Sequence, residues 1–196
     1  MTATLRHIRM FKPRRFVAAS LIACCAFLSL AQRRAGFALF TDPGGRFSVE
    51  FPNDWRWMMV SPSQEALVTF VQPRSEAALV VERFRLKQSL ANEEITELFA
   101  QIESDILKEN QPKATDVAAR MIVQGGRRIV VIDYTRPGLG EAERVRQYSF
   151  PVVENLYRVT CMALAREFTK YETTFASVAE SLKSAGELGT TSARGR

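Results

Sequence analysis

The stretch TDVAARMIVQ-GG-RRIVVIDYTR, from Thr115 to Arg136, decides the fold. Two segments rich in β-branched residues flank Gly125-Gly126, a pair whose tolerance of positive φ suits a two-residue hairpin turn. Such a turn fixes register, so Ile122 is expected opposite Ile129, and Val117 opposite Tyr134. In the second segment Ile129-Val130-Val131-Ile132 is unbroken apolar sequence. A strand of this kind sends side chains to both faces of its sheet and needs cover on both. It is expected to be central, with Val130 and Ile132 buried on one face and Ile129 and Val131 on the other.

Downstream of the hairpin, Glu143 to Phe150 and Asn155 to Leu164 read as further strands. Phe168, Tyr171, Phe175, Val178 and Leu182 then recur at spacings of three and four, an amphipathic helix that Gly186 should end. Upstream, Ile95, Leu98, Phe99, Ile102 and Ile106 predict another helix, capped by Asn92 and stopping before Pro112. Before it come strand patterns at Arg46 to Phe51, Arg56 to Val60, Ala66 to Val71 and Ala78 to Lys87, the first preceded by turn chemistry at Thr41-Asp42-Pro43-Gly44-Gly45. Sheet and helices without βαβ alternation imply an α/β fold, an α/β/α sandwich around a central, mainly antiparallel sheet.

The N-terminus has a different composition. Residues 1 to 31 carry Arg6, Arg9, Lys12, Arg14 and Arg15 with no acidic residue, followed by an apolar run from Phe16 to Leu30. The run is short for a membrane span and has the form of a signal peptide, with cleavage expected after Ala31 or, alternatively, after Ala38. An uncleaved anchor is the structural alternative. Arg14-Arg15 has the form of a twin-arginine signal, and Leu21-Ile22-Ala23-Cys24 that of a lipobox that would lipidate Cys24. The domain is expected to span 39 to 184, with a disordered polar tail over 187 to 196.

Removing the signal leaves 22 basic against 21 acidic residues. The high basicity of the full chain thus belongs largely to the leader, and no nucleic-acid partner is expected. Cys161 is then the sole cysteine, so neither an internal disulfide nor a disulfide-linked partner is expected. The single histidine, His7, lies in the leader too. Without an imidazole, the usual base for a serine or cysteine nucleophile is missing, and one thiol cannot build a zinc site. An enzyme is therefore not expected, and no cofactor. Asp42 and Asp54 are the remaining calcium candidates, with solvated turn carboxylates as the plainer reading. Arg144 and Arg146, sharing a strand face with Tyr148, and Arg158 on the next strand suggest a docking strip for an acidic partner. If so, Arg144 and Arg146 are exposed, and replacing either by Ala leaves folding stability within about 0.5 kcal/mol.

Phe40-Thr41-Asp42-Pro43 with Gly45, Phe47-Ser48, Pro52 and Trp55 resembles the opening of the PsbP family, the extrinsic photosystem II proteins and their relatives. In the second half Gly125-Gly126, Tyr134, the Arg144 to Tyr148 strand, Leu156-Tyr157, Phe168 with Lys170, and Ser177 to Leu182 agree in order. The resemblance implies the family's sandwich fold, no catalysis, a location in the periplasm or thylakoid lumen, and a partner in a membrane-associated protein complex. In plant members it also implies calcium and chloride retention at the oxygen-evolving centre. This chain lacks the histidines implicated in ion roles in some of those members. Two functions of other classes compete with an accessory module: an extracytoplasmic hydrolase working through carboxylates such as Asp42 and Asp54, and a periplasmic small-ligand carrier.

Overall fold

The computed structural model describes residues 35–60 and 66–185. The signal segment with its Ala31 cleavage position, the twin arginines and Cys24 lie outside them, as do Gly186 and the tail. Ten strands and two α-helices follow in the order β1 (Phe37–Thr41), β2 (Phe47–Pro52), β3 (Arg56–Met59), β4 (Ala66–Val71), β5 (Ala78–Arg85), α1 (Glu97–Asn110), β6 (Thr115–Gln124), β7 (Arg127–Pro137), β8 (Ala142–Val152), β9 (Asn155–Leu164), α2 (Phe168–Ser181) and β10 (Lys183–Ser184). Seven strands form one sheet in the order β3-β4-β5-β9-β8-β7-β6, and β1-β2-β10 form a second, smaller one. Every pairing is antiparallel.

The hairpin forms as its turn dictates, with Gly125 and Gly126 at φ +57° and +78° and Ile122 opposite Ile129. Val117 does not pair with Tyr134. Asp116 takes φ +54° and the register slips between Thr115 and Ala118, a bulge that absorbs one residue. β7 is also not central: it lies second from the β6 edge, and β9 holds the middle. Its two faces are nevertheless covered. Ile129 and Val131 join the core that contains Phe168, Phe175 and Val178 of α2 and Phe47 and Val49 of β2, while Val130 and Ile132 join Ala100 and Leu107 of α1.

Arg127 and Arg128 leave the turn on opposite faces. Arg127 donates to the carbonyls of Leu182 (3.0 Å) and Glu180 (3.4 Å), satisfying acceptors that the end of α2 leaves over. Arg128 donates from NH1 to the carbonyls of Glu93 and Ile95, and its main-chain N–H meets Asn92 Oδ1 at 2.7 Å. This explains why Asn92 is not the helix cap. It begins a single 3-10 turn, and Thr96 caps α1 by accepting from Phe99 N–H at 3.3 Å.

The buried side of α1 differs from the expected stripe. Ala100, Ser104 and Leu107 face the sheet, whereas Leu98, Ile102 and Ile106 are about half exposed or more. Two small residues let the helix backbone settle close over β6 and β7, which leaves the large aliphatics on the flank. β1 went unanticipated too. It pairs along β2, while β10 borders β2 on the other side, so Leu182 caps α2 and the chain turns straight into a strand.

Candidate functional site

The expected arginine strip is not a single surface. Alternation along β8 and β9 sends Arg144 and Arg146 to the face under α2, with Tyr148 and Cys161, and sends Arg158 to the opposite face under α1. Arg146 is nearly buried, its side chain 11% exposed. It donates from Nε to Asp133 Oδ1 at 2.6 Å and from NH1 to Glu172 Oε1 at 2.8 Å, while Arg120 takes the other Asp133 oxygen at 2.8 Å. Burial alone would lower the Arg146 pKa, but the bonds it donates to Asp133 and Glu172, with the Asp133 charge, outweigh it and hold the guanidinium above its ordinary value. Strands β6, β7, β8 and helix α2 are thereby tied by one ionic network. Arg144 is exposed, with its guanidinium carbon 5.4 Å from the Phe168 ring centre.

On the other face Arg158 donates to Glu103 Oε2 at 2.7 Å and to Ser149 Oγ at 3.2 Å, and lies 4.8 Å from the Phe84 ring centre. Beside this pair is a small cavity of about 90 Å³ lined by Glu103, Ile106, Gln111, Gln147 and Arg158. Its lining is largely polar, and two of the lining residues, Gln147 and Gln111, both donate to the Tyr134 hydroxyl at 3.4 Å. A volume of that size holds a few waters, well below the range of about 300 to 1,000 Å³ usual for small-molecule pockets.

Asp42 and Asp54 are not brought together as ligands. Asp42 is 2% exposed and both its oxygens are taken by Arg46, from Nε and NH2 at 2.7 Å each, with Arg46 N–H adding a third bond at 3.1 Å. The Arg46 side chain, despite the burial of Asp42, holds its carboxyl below the ordinary carboxylate range. Asp54 is exposed in the β2–β3 turn. Among the described residues no group of three or more acidic, cysteine or histidine side chains is placed to hold a metal ion. Cys161 is fully buried in the α2-side core, and burial pushes its thiol well up from the ordinary value. Trp55 is a core residue packed edge-on to Phe175, whereas Trp57 is half exposed.

The outer flank of α1 is apolar and exposed. Leu98, Ile102 and Ile106 stand one turn apart in a row that ends at the Glu103–Arg158 cavity, with 70%, 48% and 46% exposure. The sequence held a signal for this row. Apolar residues at 98, 99, 100, 102, 106 and 107 cover more of the helix circumference than a single buried face requires. No helix among the described residues is long and apolar enough to cross a membrane.

Comparison with solved structures shows a shared fold. Over 79% of this chain and 95% of the other, the chain matches the solution structure of cyanobacterial PsbP (CyanoP) from Synechocystis sp. PCC 6803, at a TM-score of 0.59 and 12% identity. LpqN of Mycobacterium tuberculosis, described as involved in cell envelope biogenesis, matches over 88% and 98% at 0.55 and 13%. The Saccharomyces cerevisiae Ran-binding protein Mog1p matches over 76% and 95% at 0.52 and 10%. No curated protein matches in sequence. The PsbP sequence profile matches residues 35–184, which takes in every strand and both helices, and the chain belongs to the PsbP family.

Proposed function

We propose that the protein is an exported, non-enzymatic binding module that docks on a membrane-associated complex through the outer flank of α1. The observation that carries this reading is the row Leu98, Ile102, Ile106. Three large aliphatics in line on one helix, beside a satisfied polar pair, form the kind of surface that another protein covers. Cys161 is buried and both oxygens of Asp42 are taken by Arg46, which favours binding over hydrolysis. Fold relatives include a Ran-binding protein and one involved in envelope biogenesis, in keeping with a binding or accessory role. Family membership makes photosystem II the first complex to test in a photosynthetic cell. The covering of β7 on both faces, by α1 on one side and by α2 with the small sheet on the other, supports an α/β/α sandwich.

Export to the periplasm or thylakoid lumen rests on the leader, and β1 bears on where that leader ends. Gly36 accepts from Asn53 N–H at 3.0 Å and Phe37 pairs with Pro52, so cleavage after Ala38 would cut β1 in two. Cleavage after Ala31, giving Gln32 as the mature N-terminus, keeps the strand whole. N-terminal sequencing of fractionated protein tests both claims: intact Met1 in the soluble cytoplasm refutes export, and a Leu39 start refutes the early cut. For docking, tagged protein from gently solubilised membranes should bring down a partner that Ile102→Glu loses. Recovery as a free protein with no crosslinked partner rejects the proposal.

A further inference from the structure

The two edges of the large sheet are treated differently. An edge strand offers unpaired N–H and C=O groups to any strand that approaches, and proteins usually block it with charge, proline or a bulge. β6 is guarded in this way. It carries the bulge at Asp116, Arg120 turned in toward Asp133, and a main-chain N–H at Met121 that is taken by Glu97 Oε2 at 3.2 Å. β3 has none of these over its last three residues. Trp57, Met58 and Met59 are 50%, 57% and 41% exposed, the strand's one charge is Arg56 at its start, and among the described residues its sheet partner is β4 alone.

We propose that β3 pairs antiparallel with β3 of a second copy of this chain, making one continuous sheet across a two-fold axis at Met58. The choice of a second copy comes from self-complementarity. In an antiparallel pair, residues opposite each other share a face. With the axis at Met58, Trp57 meets Met59 of the second copy, an indole against a thioether, a favourable contact. Arg56 meets Val60, so the strand's single charge never opposes itself. Trp57 is already fixed for this contact, since its ring lies 5.2 Å from that of Phe40 in edge-on packing. The pairing is independent of the α1 flank, which lies on another part of the molecule, so either proposal can fail alone.

The test uses the exported protein as recovered from cells, studied by sedimentation velocity from low to high micromolar concentration. A reversible dimer is expected. Met58→Lys sets two ammonium groups against each other at the axis and should weaken dimerisation at least about tenfold, with the circular dichroism spectrum unchanged. Met58→Cys should form a covalent dimer under mild oxidation, because directly opposed residues lie within disulfide reach. Val123→Cys, also well exposed but on the guarded edge, should form no covalent dimer under the same oxidation. A monomer at every concentration, a dimer indifferent to Met58→Lys, or equal crosslinking at Val123 overturns the proposal.

Discussion

Asp133 and Arg146 stand directly opposite each other on β7 and β8, joined by a 2.6 Å bond between Oδ1 and Nε beneath helix α2. The Asp133 side chain is 9% exposed, so its charge depends on Arg146 and Arg120 in place of water. Removing one member of a buried pair costs about 3 to 5 kcal/mol when the other charge is left wholly uncompensated; here Asp133 would keep its bond from Arg120. Arg146→Ala is therefore expected to destabilise the fold by about 3 kcal/mol in urea melts, the low end of that range. Arg144→Ala, two residues away and exposed, is expected to shift stability by about 0.5 kcal/mol or less. Equal, small effects at both positions would show that the network contributes little.

Asp42 gives a pH dependence with a definite sign. Its folded-state pKa is depressed below 3.8, first by the side-chain bond from Arg46. The stability it contributes is thus fully present above the unfolded-state pKa and is lost as the pH falls through the lower folded-state value. Asp42→Asn should lower stability by about 1 kcal/mol or more at neutral pH, through weakening of a charge-assisted bond. The gap between variant and parent should close on acidification below about pH 4, as read from melting curves in a pH series. A gap that widens in acid would contradict the pairing.

Both faces of β7 are expected to be sensitive. Ile132 is 1% exposed in the α1-side core, and Val131 is fully buried in the α2-side core. Ile132→Ala should cost about 2 to 5 kcal/mol, and Val131→Ala at the low end of that range because it deletes fewer atoms. Denaturant unfolding of the two variants measures this. A neutral Val131→Ala would mean that the α2-side packing is loose.

Ile102 separates stability from binding. At 48% exposure on the outer flank of α1, its replacement by Glu should change the melting midpoint little, with stability altered by about 0.5 kcal/mol or less. Loss of the membrane partner without loss of fold is the expected outcome, read by pull-down beside a thermal melt. Partner retention by this variant and by Leu98→Glu would move the docking surface elsewhere.

How much of this was legible in the sequence varied by element. The Gly125-Gly126 hairpin could be read because its turn chemistry fixes register locally, and strands β8 and β9 because alternation marks them. Periodicity also found α1, yet it could not say which apolar residues go inside. Ala100 and Ser104 won that place because small side chains allow close approach to β6 and β7, a tertiary consideration invisible in a local pattern. The cap moved from Asn92 to Thr96 for a similar reason: the Asn92 side chain serves Arg128, 36 residues away. Arg146 was read as surface because its partner Asp133 lies across a strand pair whose register no turn signal specified. Arg158 was grouped with it by proximity in sequence, although one strand crossing and a change of parity put it on the far face.

β10 gives the small sheet a temporal property. Its residues Lys183 and Ser184 pair with Ser48 and Phe47, so the last described strand lies beside one of the first. A chain emerging from a ribosome, or threaded N-terminus first through a narrow pore, presents β2 long before the segment that flanks it arrives. Until then β2 keeps one open side, and the latch can close only after almost the whole domain has passed. The arrival of β10 is therefore the step that completes the small sheet.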